Sequence, residues 1–430
     1  MVAAVDGRVA SLDEQGIRVS PEAQAIEAFF RRRFERDALF LPSARLGLYL
    51  IFREWLHPGD RVLMSPVNCD VVFFTVLAAG LTPVLAPVDP RTGNIDPAAI
   101  DDSTWASLHA VVTTNLYGVP DRMDLLQEQC RRHRLLLVED ACHAIGSRFK
   151  GRRIGNFGTA AVYSLAKHVG AEGGVVTFAE EGRRESLARR AGKKLRYRSL
   201  PQATATRVRT WLSSVGASTP ARQRLAQLRD RLVRRATRRS GHRLPYEITE
   251  VLQAQNEGGG LDLFDQWLRV DKPDYRTWPL RSSLRATLER LETFEENSPL
   301  RLAGTGKLLA LGYTPASFSV PAETALFRVP LFVRERENVL ARFAQRELTF
   351  DYIYDPPLDL YAPGLAEVLP SPRAARSWSR DVLPVDPLCA DRFLALLRES
   401  PELCRPSRDA IPSGAGHSAC RPDRVARRTP

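Results

Sequence analysis

Nowhere in the 430 residues does an uninterrupted apolar run reach the roughly eighteen residues that a membrane-spanning helix needs. The opening "MVAAVDGRVASLDEQG" also lacks the basic start and apolar run of a secretory leader. A soluble, cytoplasmic chain is expected. The six cysteines, Cys69, Cys130, Cys142, Cys389, Cys404 and Cys420, form no Cys-x-x-Cys pair. That spacing suggests neither a thiolate metal site nor a disulfide framework, and reduced, mostly structural thiols are expected.

What remains is ordinary globular composition, 44% hydrophobic and 26% charged, in a chain long enough for two cores. The net charge of +12 is unevenly spread. Residues 183–243 hold 19 Lys or Arg against two acids, Glu185 and Asp230, so the rest of the chain is net acidic. Within that segment Leu225, Leu228 and Leu232 recur at helical spacing before Gly241, which reads as an amphipathic basic helix. A solvated arginine face accounts for it better than a dedicated anion or membrane-surface site, and nucleic acid is not expected as a partner. The last thirty residues, 401–430, lack periodicity and are rich in Pro, Arg and Ser, so a disordered tail is expected there.

Between residues 40 and 180 short apolar runs alternate with helical periods and polar turns. Residues 43–56 have helical spacing. "RVLMS" reads as a strand, "DVVFFTVLAAG" as a helix stopped by Gly80, "TPVLAPVD" and "HAVVTTNLYG" as strands, "DRMDLLQEQCRRH" as a helix opened by an Asp cap, and "RLLLVED" as a buried strand. This βαβ alternation predicts an α/β fold with a mostly parallel sheet, whose ligands lie beyond the carboxyl ends of the strands.

Asp140 stands at such a strand end. Read alone it could be a turn cap, and Lys167 in "AVYSLAKHVGAEGGVV" could be a surface lysine. Two features favour chemistry. The small, apolar surroundings of Lys167 favour a neutral, nucleophilic amine. The order acid, serine, lysine also suits pyridoxal 5'-phosphate (PLP): an amine for the aldehyde, an anion for the ring nitrogen, and donors at a helix start for the phosphate. Lys167, Asp140, and Ser164 with the amides of Ala44 and Arg45 fit those needs.

Several separated stretches carry a family resemblance: "PSARLGLYLIFREWLHPGDRVLMSP", "LAAGLTPVLAPVDPRTGNIDPAAI" and "LYGVPDRMDLLQEQCRRHRLLLVEDACHAIGSRFKGRRIGNFGTAAVYSLAKHVGAEGGVV". In order and distance they resemble the DegT/DnrJ/StrS-type sugar aminotransferases, fold-type-I enzymes that depend on PLP. The resemblance implies a large cofactor-binding domain over 20–275, carrying the basic helical insertion 183–243, and a smaller C-terminal α+β domain over 276–400. It implies that Lys167 links covalently to PLP, that Asp140 pairs with the pyridine nitrogen, that His143 lies near the phenolic oxygen, and that Ser164 with the amides of Ala44 and Arg45 binds the phosphate. His143 could instead be a packed core histidine, and Arg45 a structural helix-start residue.

The chain departs from the family in three places. Ser164 and Lys167 are three residues apart where five is common. Asn68, Cys69 and Asp70 occupy the region of the ring-stacking aromatic, and "DYRTWPL" (274–280) carries Asp274 where an asparagine of the cross-subunit phosphate loop would stand. Further on, Leu284, Leu288, Leu291 and Phe294 share one helical face, followed by alternating strand and helix patterns in "ALFRVPLFV", "RENVLARFAQRE", "RDVLPVDP" and "ADRFLALLRE".

The implied activity is amino transfer from an amino acid, L-glutamate in relatives, to a ketosugar, commonly nucleotide-linked, in amino-sugar biosynthesis by a homodimer. The alternatives are a PLP-dependent dehydration or other chemistry on a keto sugar, and a non-catalytic cofactor- or nucleic-acid-binding relative.

Overall fold

The computed structural model describes residues 20–197, 242, 244–269, 274–321, 324–370 and 372–407. The amphipathic pattern of Leu225, Leu228 and Leu232 lies outside them.

Ser20 caps α1 (Pro21–Phe34) by accepting the Ala23 N–H, and Pro21 sits in the first turn where no donor is needed. Ile26, Phe30 and Phe34 bury one face of this helix. After β1 (Asp37–Leu41), Ser43 caps α2 by accepting the Leu46 N–H at 3.2 Å; the helix expected over 43–56 forms as Ala44–Trp55. The alternation continues with β2 (Arg61–Met64), α3 (Asp70–Ala78) and β3 (Thr82–Leu85). Gly80 follows α3 with φ of +78°, the left-handed turn that stops it. Next come α4 (Asp102–Ser107), β4 (Ala110–Thr113), α5 (Met123–His133) and β5 (Leu136–Asp140).

The hairpin β6 (Arg148–Phe149) and β7 (Arg152–Arg153) precedes β8 (Ala160–Ser164), the one-turn helix α6 (Leu165–His168), β9 (Gly174–Phe178) and α7 (Arg183–Gly192). A 29-residue helix, Arg281–Leu309, then leads to β10 (Val329–Phe332), β11 (Glu367–Val368) and β12 (Val382–Val385).

The main sheet has the order β1-β9-β8-β5-β4-β2-β3-β11. β9 runs antiparallel to both neighbours, and the pairs from β8 to β11 are parallel. β5 and β4 are buried along nearly their whole length, as expected of a parallel sheet covered on both faces. The carboxyl ends of the parallel strands share one edge, and Asp140 and Ser164 both stand on it.

β10 and β12 form a separate antiparallel pair, packed with Val339, Phe343, Phe393 and Leu397 in a second core. The stretch 276–400 is interrupted, however: β11 pairs with β3 in the main sheet, and Leu358, Ala362 and Leu365 join the large core.

Two expectations are corrected. Asp121 does not cap α5, whose N-cap is Arg122 without a side-chain bond. Its buried carboxylate instead accepts the N–H groups of Ile95, Thr114 and Asn115 at 3.1, 3.0 and 2.8 Å, bracing the loop after β4. Burial pushes that carboxyl up to about 6, against the pull of those three donors. Nor does an unstructured tail begin at 401. Leu403 and Cys404 are buried, and the Tyr313 hydroxyl donates to the Cys404 carbonyl at 3.2 Å, because the short apolar pair completes the second core. Residues 408–430 lie outside the described residues.

Candidate active site

β5 delivers two adjacent carboxylates to opposite faces, and they do different work. Glu139 is fully buried and accepts the N–H groups of Gly155, Phe157 and Gly158, each at 2.6 Å. It holds the turn that leads into β8. Asp140 ends the strand at the open edge, where one carboxylate oxygen accepts the Cys142 N–H at 3.0 Å.

His143 lies one turn beyond, its ring stacked on Phe327 at 4.8 Å and on Tyr117 at 5.9 Å. Burial, reinforced by Lys167, pushes its pKa well below the ordinary histidine range, so the imidazole is neutral. Nδ1 accepts the backbone N–H of Tyr117 at 3.2 Å. A backbone N–H can only donate, so the one ring proton is assigned to Nε2. That proton faces Nζ of Lys167 at 2.9 Å, with the Tyr354 hydroxyl at 3.4 Å.

Lys167 sits in α6, the single turn after β8. An Nε2–H can be accepted only by an amine with a free lone pair, so the contact with His143 selects neutral Lys167. Burial presses the same way, whereas Cys142, Cys69, Asp140 and Tyr352 pull the lysine up and set a net upward direction. The pull of Cys142 needs an ionised thiol, and burial holds that thiol well above its usual range. Near neutral pH Nζ is the acceptor of this contact.

Ser164, last residue of β8, is half-buried, and its hydroxyl meets no protein partner among the described residues. Its register partner across the ladder is Gly174. A Cβ at Gly174 would stand 2.3 Å from the nitrogen of Ala44, so only glycine lets the first turn of α2 approach. Ser164 and the Ala44 amide thus share one edge, and no acceptor meets that amide among the described residues. The Arg45 side chain turns away, donating to the Leu268 carbonyl and lying 5.8 Å from the Tyr275 ring. Any contribution of Arg45 to this edge is through its backbone.

Other site residues escaped the motif reading. Nζ of Lys167 lies 5.5 Å from the Tyr352 ring centroid, and Tyr352 meets Phe327 edge-on at 4.9 Å. Tyr354 packs with Tyr117 and Val67, against which Cys69 also lies. Rings from the C-terminal part of the chain thus pack beside the region of Asn68, Cys69 and Asp70. "DYIYD" carries two tyrosines, but nothing local marks which face they serve. Asp274 accepts Arg196 at 2.8 Å and the Arg276 N–H at 3.0 Å, so its charge is taken up within the chain.

The arrangement offers an amine, a carboxylate at a strand end, a neutral N–H donor, and a hydroxyl with a helix-start amide. These match the carbonyl, ring nitrogen, phenolic oxygen and phosphate of PLP.

The family model for the DegT/DnrJ/EryC1/StrS aminotransferase family matches residues 9–238. The chain is 32% identical over 207 residues to the dTDP-3-amino-3,4,6-trideoxy-alpha-D-glucose transaminase of Streptomyces venezuelae, covering 46% of this chain and 54% of that protein. It spans about a third to a half of the length of the curated relatives it matches. Among solved structures, S. venezuelae DesV in complex with a ketimine intermediate superposes with a TM-score of 0.60, at 22% identity and 89% coverage of both chains. The E. coli GDP-4-keto-6-deoxy-D-mannose-3-dehydratase, with bound hydrated PLP, gives 0.61 at 16% identity, covering 90% of this chain and 92% of that one. The fold is therefore that of fold-type-I PLP enzymes, an α/β architecture.

Proposed function

The chain belongs to the DegT/DnrJ/EryC1/StrS aminotransferase family, and from that premise we propose that it is a PLP-dependent aminotransferase. On this reading it moves an amino group from an amino acid, L-glutamate as the donor, to a ketosugar carried on a nucleotide, in amino-sugar biosynthesis. It works as a cytoplasmic homodimer with a large cofactor domain over 20–275 and a smaller one over 276–400, whose Glu367 and Val368 join the main sheet.

The observation that carries the reading is the meeting of Lys167 and His143 at 2.9 Å on the strand edge where Asp140 ends β5. When bound, PLP supplies an aldehyde for an amine and a ring that stores electrons. Lys167 would hold that aldehyde through its amine and, when the amine is free, would serve as the base that moves a proton between a substrate carbon and the cofactor carbon. As a carboxylate, Asp140 would accept the N–H of a protonated ring nitrogen and so keep the proton on that nitrogen. The Nε2–H of His143 donates to a phenolic oxygen, and the Ser164 hydroxyl with the Ala44 amide donates to phosphate. Phe327, Tyr352 and Tyr354 close the site with apolar surface, which excludes water from the amine.

The same fold carries the dehydratase named above, so the identity of the product matters. Incubation with nitrogen-15 L-glutamate and a panel of nucleotide-linked ketosugars tests the reading. Label in a sugar amine supports transfer; label released only as ammonia makes the enzyme a dehydratase, and no turnover with any ketosugar sinks the assignment.

A further inference from the structure

Behind the Lys167 site lies a cleft of about 530 Å³ that gathers positive charge without matching anions. Helix α1 contributes Arg32 and Arg33, and the β6–β7 hairpin contributes Arg148, Arg152 and Arg153. Two carboxylates face them, Glu35 and Glu295, and Glu295 is engaged by Arg33. Five guanidinium groups against two carboxylates leave an excess of three positive charges. Among the described residues Arg32, Arg148, Arg152 and Arg153 make no ion pair.

Two features make this more than a solvated basic face. Arg148 and Arg153 are register partners, directly opposite each other in a two-stranded hairpin. Like charges so placed destabilise a ladder that is already marginal in isolation, and an anion between them would remove the repulsion. The Arg33 side chain is only 8% exposed, and its buried Nε has no hydrogen-bond partner among the described residues, although its terminal nitrogens reach Ile145 and Glu295. A buried, unpaired guanidinium N–H is costly unless something accepts it. Burial together with Arg153 and Arg148 lowers the Arg33 pKa to about 10, as expected where cations crowd one space.

The cleft is separate from the lysine. The Arg33 guanidinium lies 5.3 Å from the Phe294 ring, and that ring meets His168, the neighbour of Lys167, at 5.7 Å. These two rings form the partition. The volume suits a small ligand, and paired guanidinium forks match phosphate oxygens in both geometry and charge.

We propose that this cleft binds the polyphosphate group of a small molecule, clasped between Arg148 and Arg153 with Arg33 at its inner wall. Phe29, which also lines the cleft, gives an attached organic group an apolar surface.

The test is calorimetric titration of the full chain, saturated with PLP so that the donors around Ser164 are occupied, first with inorganic diphosphate and then with a nucleoside diphosphate. One anion should bind per chain. The double substitution Arg148→Ala with Arg153→Ala should weaken binding at least tenfold. Equal affinity for the two probes assigns the site to the phosphates alone; tighter binding of the nucleoside diphosphate assigns it to a nucleotide. Diphosphate should also raise the melting temperature of the wild type but not of the double variant, whose own melt shows that it folds. The proposal is overturned if binding is undetectable, if the double variant binds as well as wild type, or if only a duplex oligonucleotide binds.

Discussion

Ser164 and Gly174 face each other at the open end of the β8–β9 ladder, and the missing side chain of Gly174 brings the Ala44 amide to the same edge. Gly174→Ala would set a methyl group 2.3 Å from Ala44 N and 2.6 Å from Ser43 C, both backbone atoms that cannot swing aside. The first turn of α2 must then shift. The expected cost is about 1–3 kcal/mol of stability, with at least a tenfold loss of PLP affinity. Urea unfolding and cofactor titration measure the two effects. A variant that matches wild type in both would show that this edge does not hold the phosphate.

Asp140 tests the electronic half of the account. Asp140→Asn keeps the shape and removes the charge that would hold a ring nitrogen protonated. Turnover is expected to fall by about a hundredfold or more, while the melting temperature in the absence of cofactor stays near that of wild type. Full activity in the variant would mean that the carboxylate only caps its turn.

Glu139, its neighbour, should behave in the opposite way. It accepts three backbone N–H groups from Gly155, Phe157 and Gly158, and an amide in its place would turn a donor toward donors. Glu139→Gln is expected to destabilise the fold by about 2–4 kcal/mol. The loss should appear in urea unfolding whether or not cofactor is present.

His168 gives a pH dependence of defined sign. Burial lowers its pKa to about 3. Below the unfolded value of about 6.5 the unfolded chain takes up a proton that the folded chain refuses, so stability falls as pH drops through that range. Between pH 7 and pH 5 the loss from this residue is about 2 kcal/mol. His168→Phe keeps the ring between Phe294 and Phe327 and should flatten that part of the profile. An unchanged acid limb would show that His168 is not the group responsible.

The parallel core and its functional edge were legible from local pattern. "RLLLVED" reads as a buried strand ending in acid, and the Lys167 turn follows it in the family's order, although with three residues from Ser164 to Lys167 where five is common. What could not be read was set by tertiary contact. Asp121 looks like a helix cap, yet it is drawn off to three backbone donors from two separate loops. Tyr352 and Tyr354 reach Lys167 and His143 from nearly two hundred residues away, and no periodicity marks their faces. β11 is two residues long and gives no pattern of its own, so its return to the main sheet is visible only in the fold. Leu403 and Cys404 are apolar residues in a Pro- and Arg-rich stretch, and only the second core shows why they are ordered.

The most direct test of the central claim is the absorption spectrum of the purified chain with PLP. The account predicts a lysine-bound chromophore near the visible edge. L-glutamate should bleach it, with one 2-oxoglutarate formed per site, and it should be absent in Lys167→Ala. A Lys167→Ala protein that still shows the bound chromophore, or a wild type that never forms it, would contradict the account.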